Sequence, residues 1–145
     1  MEIKNKLLNL LTTNGKKETG EKNFIKSLKK IQKTSIKSSK KIFQLALIYS
    51  TPIFKLHKIK NKKRKKKALK FKEIPGFIHN KNARTALAIK FILANTKKQN
   101  SKNFYSKLNI EILDCAKNKS DTIETKNNLQ KDILTKKRYF LYYRW

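Results

Sequence analysis

Thirty-eight lysines and arginines stand against nine acidic residues in a chain of 145, a formal net charge of +29. A chain so unbalanced repels itself when compact unless a polyanion neutralises it. The charge therefore restricts fold and partner together. The lysines must stay at the surface of a modest core, and the partner is either nucleic acid or an anionic membrane surface, with nucleic acid the stronger expectation. The hydrophobic fraction of 38% lies below the globular average and the charged fraction of 32% above it, on a length that suits one domain, 1–145. Only Arg64, Arg84, Arg138 and Arg144 are arginines, so the charge comes mostly as hydrated ammonium groups and not as planar forks. The abundance of lysine, asparagine and isoleucine points to AT-rich codon usage.

Two prolines and three glycines leave little punctuation, which favours long helices over many short strands. A helical stripe of Ile3, Leu7, Leu8, Leu10 and Leu11 runs from Glu2 to Thr13 and stops at Asn14-Gly15. A second helix is expected over Lys17 to Lys33, with Phe24, Leu28 and Ile31 on one face. A third follows Ser38-Ser39, uses Ile42, Phe43, Ala46, Leu47 and Tyr49, and ends before Pro52. Residues 53–74 then alternate apolar and basic on both sides of the block Lys62 to Lys67. This predicts a β-hairpin with a cationic tip, the alternative being a disordered basic loop.

After Pro75-Gly76 the helical pattern returns. Ala86 to Ala94 is apolar apart from Lys90 and should form the most buried helix. Ser101 can cap the next, which aligns Phe104, Leu108, Ile112 and Cys115. Asp121 with Glu124 resembles a capping box for the last helix, which carries Leu129, Ile133, Leu134 and Phe140. The fold class expected is mainly α: about six helices in a bundle-like domain with a protruding basic hairpin arm.

Little in the chain suggests catalysis. His57 lies in the basic strand and His79 in a polar connection. Cys115 sits on an apolar stripe, where a thiol is usually a small core residue. One cysteine excludes an internal disulfide and a CxxC zinc site. Glu111 and Asp114 read as an ordinary helix-surface pair. GKKETGEK lacks the spacing of a nucleotide-binding loop. Neither enzyme activity, nor a cofactor, nor a metal is expected. No apolar run approaches the length of a membrane span, and the lysines are spread over every helix, which argues against a membrane partner. The start MEIKNKLLNLL reads as neither a transit nor a secretory peptide. The segment Lys58 to Lys72, with ten basic residues in fifteen and no acid, supplies what a nucleic-acid groove needs. The closing KRYFLYYRW reads either as an aromatic platform for bases or as a last helical turn packing Phe140 and Leu141 on the core.

Several stretches, in order, resemble the family of ribosomal protein seven of the small subunit. KLLNLLTTNGKKETGEKNFIKSL is similar to its opening pair of helices, and FQLALIYSTP to its third helix and the proline before its ribbon. ARTALAIKFILANTKK resembles its Ala-Leu-Ala helix, with Arg84 keeping one of two adjacent arginines. KLNIEILDCAKNKSDTIETK resembles its fifth helix, and Phe140 with Tyr143-Arg144-Trp145 its Phe-x-x-Tyr-Arg-Trp ending. The chain departs from the family at the ribbon, where the glycine pair of the turn is replaced within Lys62 to Lys67.

The resemblance implies a structural protein in the head of the small subunit that binds the 3′ major domain of small-subunit rRNA and nucleates its assembly. It further implies head and platform ribosomal proteins as neighbours, with the ribbon near mRNA and exit-site tRNA. AT-rich codon usage adds an organelle origin, mitochondrial with plastid as the alternative. RNA contact is expected from Lys16 and Lys17 at a helix junction, and from Lys60, Lys62, Lys63, Arg64, Lys65, Lys66 and Lys67 on the ribbon. It is also expected from Arg84, Lys90, Lys97 and Lys98 on or beside the buried helix, and from Arg138, Tyr143, Arg144 and Trp145 near the end. The competing reading is a basic protein that compacts nucleic acid without specificity.

Overall fold

The computed structural model describes residues 2–12, 14–60, 71–101 and 103–142, leaving aside the side chains of residues 2, 60, 71, 72 and 142. Among these residues six α-helices and one antiparallel hairpin follow in chain order: α1 (Glu2–Leu11), α2 (Lys17–Thr34), α3 (Ser39–Ser50), β1 (Phe54–Lys60), β2 (Phe71–Phe77), α4 (Lys81–Lys98), α5 (Phe104–Ala116) and α6 (Asp121–Thr135). A 3-10 turn over Lys137–Tyr142 closes them. The mainly α expectation holds.

The helices form where apolar side chains recur on one stripe. Leu108, Ile112 and Cys115 are fully buried on α5, as their spacing requires. That helix is the hub, packing on α2, α3 and α4. Its stripe meets Phe24 and Ile31 of α2, Ile42, Phe43, Ala46 and Leu47 of α3, and Ala88, Ile89, Ile92 and Leu93 of α4 in one cluster, which Leu7 and Leu8 of α1 complete. Phe24 and Phe43 meet edge to face at 5.6 Å. The first helix breaks where Asn14 (φ 53°) and Gly15 (φ 75°) enter the left-handed region, which asparagine and glycine tolerate best.

Several boundaries differ from the sequence reading. β2 runs through Pro75 and Gly76 to Phe77, with Phe54 opposite Phe77 and Leu56 opposite Pro75, so the arm does not end at 74. Both strands of a two-stranded ribbon have an outward edge, where a missing N–H costs little. Ser120, not Asp121, caps α6: its extended backbone lets Oγ accept from the Ile123 N–H at 3.4 Å, and Asp121 and Glu124 fall in the positive first turn. Asn103, not Ser101, precedes α5, and the Ser101 hydroxyl is buried with no hydrogen-bond partner among the described residues. α4 is not buried throughout, because Lys90 and Ala94 face outward while Ala88, Ile89, Ile92 and Leu93 face the core.

Glu111 overturns its surface reading. It is only 2% exposed. Its carboxylate accepts from Thr122 Oγ1 at 2.6 Å and from Gln99 Nε2 at 2.6 Å. Asn95 Nδ2 donates to Thr122 Oγ1 and Thr125 Oγ1, both at 3.2 Å. This buried network ties α4, α5 and α6 into fixed relative positions, because each member would lose its partner if the helices slid.

Candidate nucleic-acid interface

Lys90 and Lys97 lie two helical turns apart on one face of α4, both exposed. They line an open groove of about 640 Å³ walled by Leu10 and Leu11 of α1, Thr19, Gly20 and Asn23 of α2, and Phe104 of α5. Gly20 of α2 is buried in the wall of the groove, against α1. A Cβ there would come within 3.5 Å of the Leu11 side chain, so α1 and α2 approach closely at this point. The Lys16 carbonyl accepts from the Gly20 N–H at 3.3 Å and from Thr19 Oγ1 at 2.8 Å, which sets exposed Lys16 and Lys17 at the positive start of α2 beside the groove. Four of the anticipated lysines thus belong to one neighbourhood. Lys98 is exposed at the end of α4 but does not line the groove.

Arg84 is built into the fold instead. Its Nε donates to the Ile78 carbonyl at 2.5 Å and its guanidinium lies 4.9 Å from the Phe77 ring centroid. Phe77 in turn packs on Phe54 at 5.8 Å and on His79 at 4.7 Å, and Phe54 packs on Phe140 at 5.8 Å. These rings anchor the hairpin root to the body, and Arg84 caps them as a stacked cation. Further out, Glu73 of β2 receives a hydrogen bond from Lys136 and lies 3.7 Å from Lys58 across the ribbon. The bond from Lys136 and its charge hold the Glu73 carboxyl below the usual carboxylate value. Burial, helped by Lys55, lowers the pKa of His57, so the imidazole on this basic ribbon favours its neutral form.

Lys60 ends β1 with its side chain outside the described residues, and Lys62, Lys63, Arg64, Lys65, Lys66 and Lys67 fall outside them altogether, as do Tyr143, Arg144 and Trp145. Arg138 is exposed on the closing 3-10 turn, its guanidinium 5.0 Å from the Tyr139 ring. Phe140 is half-buried against the hairpin root. Leu141 is 93% exposed, which corrects the expectation that it packs on the core. The 3-10 turn has three residues per turn, so neighbours that would share a helical stripe diverge.

Sequence reasoning passed over a second cationic face. Lys26, Lys29, Lys30 and Lys33 of α2, with Tyr105 of α5, line a cleft of about 350 Å³. The four lysines follow helical spacing and could have been grouped from the sequence. That Tyr105 lies against them could not, because it depends on how α5 docks on α2.

Among the described residues no group of three or more His, Cys, Asp or Glu could hold a metal ion, and no helix is long and apolar enough to cross a membrane. What the described residues offer is cationic surface, gathered in two lysine-lined clefts. A family model described as ribosomal protein S7p/S5e matches residues 1–133.

Proposed function

The chain belongs to the S7p/S5e family of ribosomal proteins, and from that premise we propose that residues 1–145 act as one domain that organises the 3′ major domain of small-subunit rRNA in the head of an organellar ribosome. Membership makes it a small-subunit ribosomal protein that binds rRNA, works on the ribosome beside other ribosomal proteins, and comes from a structural, non-enzymatic family. The finer reading concerns where and how. The groove of Lys90 and Lys97, together with Lys16 and Lys17 at the start of α2, receives the sugar-phosphate backbone at a junction of RNA helices, with shape and 2′-hydroxyl contacts in place of base readout. The basic block Lys62 to Lys67, Lys60 and Lys98 extend the contact. Arg138 and the closing Tyr143, Arg144 and Trp145 hold a further RNA segment. Arg84 contributes by fixing the arm's root. Docked in this way the protein nucleates assembly of its domain, touches head and platform proteins, and holds its arm near mRNA and exit-site tRNA.

The observation that carries this reading is a groove lined by exposed Lys90 and Lys97 of α4, with Lys16 and Lys17 exposed at the start of α2 next to its wall residues Thr19 and Gly20, in a chain of +29 charge. Lysine, asparagine and isoleucine enrichment supports an organelle origin, mitochondrial with plastid as the alternative. The variant Lys16→Gln/Lys17→Gln/Lys90→Gln/Lys97→Gln tests the groove on a transcript of the rRNA 3′ major domain. Each lost phosphate contact removes roughly 0.7–0.9 from the slope of log K against log salt. The expected result is a slope shallower by about 3, with the helical circular dichroism kept. An unchanged slope in a folded variant contradicts the assignment.

A further inference from the structure

The cleft between α2 and α5 carries a row of cations that the groove does not use. Lys26, Lys29, Lys30 and Lys33 stand three and four residues apart on α2, so each lysine has a like charge one turn away. None of the four is paired with a carboxylate among the described residues, whereas Lys4, Lys22, Lys58 and Lys136 all are. Like charges at such spacing oppose the helix, and the chain relieves this through α5 and not through acids. The Tyr105 ring lies 5.9 Å from both the Lys26 and the Lys30 ammonium groups, and Lys30 Nζ donates to Ser106 Oγ at 3.2 Å. Asn103 Nδ2 donates to the Tyr105 hydroxyl at 3.2 Å, fixing the ring. Beneath the cleft, buried Asn109 Nδ2 donates to the Ser27 carbonyl at 3.3 Å and locks the two helices together. The result is a concave row of cations, about 10 Å long on a rigid base, with two of its ammonium groups positioned by an aromatic face.

The occupant follows from this chemistry. Four ammonium groups in a row, without an apolar face beside them, suit a run of phosphates. The apolar face of α2, Phe24 and Ile31, is already buried in the core, and Ile25, the one large apolar side chain the helix exposes, is too little to lay on a lipid surface. Asn23 and Phe104 line the groove, and Lys26 and Tyr105, their neighbours along the same two helices, line the cleft. The two sites therefore adjoin along the α2–α5 seam, where their lining residues are one and three positions apart. We infer that the same rRNA molecule, having entered the Lys90–Lys97 groove, continues along this seam and places a second stretch of backbone on Lys26, Lys29, Lys30 and Lys33, with Tyr105 as a positioning residue. The inference rests on the rRNA-binding reading above.

The test compares full-length protein and the groove variant above with four further variants on the rRNA 3′ major domain: Lys26→Gln/Lys29→Gln/Lys30→Gln/Lys33→Gln, a control lacking the exposed Lys117, Lys119, Lys131 and Lys137 by the same change, Tyr105→Leu and Tyr105→Phe. The cleft variant is expected to flatten the salt slope by about 2–3, well beyond the control. Tyr105→Leu is expected to weaken binding roughly two- to fivefold while Tyr105→Phe keeps it. Equal effects of the cleft and control variants would overturn the inference. So would a cleft variant that binds RNA normally but fails to enter small subunits, which would make the face a dock for an acidic protein. Wild-type protein that fails to bind the RNA at all would overturn the function proposed above, whereas wild-type binding that only the groove variant weakens would overturn the cleft alone.

Discussion

Glu111 shows at the scale of one residue how this chain sets its helices. The carboxylate is buried and takes two short hydrogen bonds, from Thr122 and Gln99. Removing it strands the buried Thr122 hydroxyl and takes the partner from the half-buried Gln99 amide. Glu111→Ala is expected to lower the unfolding free energy by about 3 kcal/mol, measured by urea denaturation, with little change in helix content before the transition. Beside it, Cys115 is fully buried, its Sγ 3.0 Å from Ser120 Oγ, and burial pushes its thiol up to about 11. A raised thiol pKa stabilises the fold fully below the unfolded value and loses that contribution as pH climbs from about 9 toward 11. At pH 8 a thiol reagent should therefore modify the folded protein far more slowly than the urea-unfolded chain; equal rates would show that the site opens freely. The apolar stripe holding Cys115 was readable in the sequence, because helical spacing alone creates it. The burial of Glu111 was not, because its partners come from α6 and from the connection after α4, and only the docking of those segments brings them near.

Among the elements, the hairpin carries the clearest electrostatic signature. Glu73 is the acid of the described ribbon, gripped by Lys136 from just beyond α6 and by Lys58 across the strands. A depressed carboxyl pKa contributes stability above the unfolded value and loses it as pH falls through the folded one, so the arm's attachment should loosen in acid. In an NMR titration Lys136→Met should move the Glu73 midpoint up toward the ordinary value near 4.5, and an unmoved midpoint would mean that Lys136 does not hold it. The energetic weight of such a partly exposed pair is small, and the aromatic root of Phe54, Phe77 and Phe140 carries the attachment. Helix number and order were legible because scarce glycine and proline leave the 3.6-residue period unbroken. The end of β2 was not, since Pro75 stops a helix but not the edge of a ribbon. Nor was the fate of Leu141, whose exposure follows from the change of the chain into a 3-10 turn.

For the whole molecule the governing quantity is the charge of +29. It was visible at once in composition, and it pointed to a polyanionic partner without saying which surface would meet it. The fold lines one groove with Lys90 and Lys97, leaves Lys16 and Lys17 exposed at the start of the helix that walls it, and lays a lysine row along α2, while the same fold withdraws Arg84 into the hairpin root. The family match over residues 1–133 makes the partner rRNA. The central claim is that this surface recognises the shape of the rRNA 3′ major domain and does not merely collect phosphates. Competition binding tests it most directly: labelled 3′-domain RNA bound to the protein is challenged with a large excess of duplex DNA at moderate salt. Shape recognition predicts that the RNA stays bound. Its displacement in proportion to added phosphate would contradict the claim and leave a non-specific compacting protein.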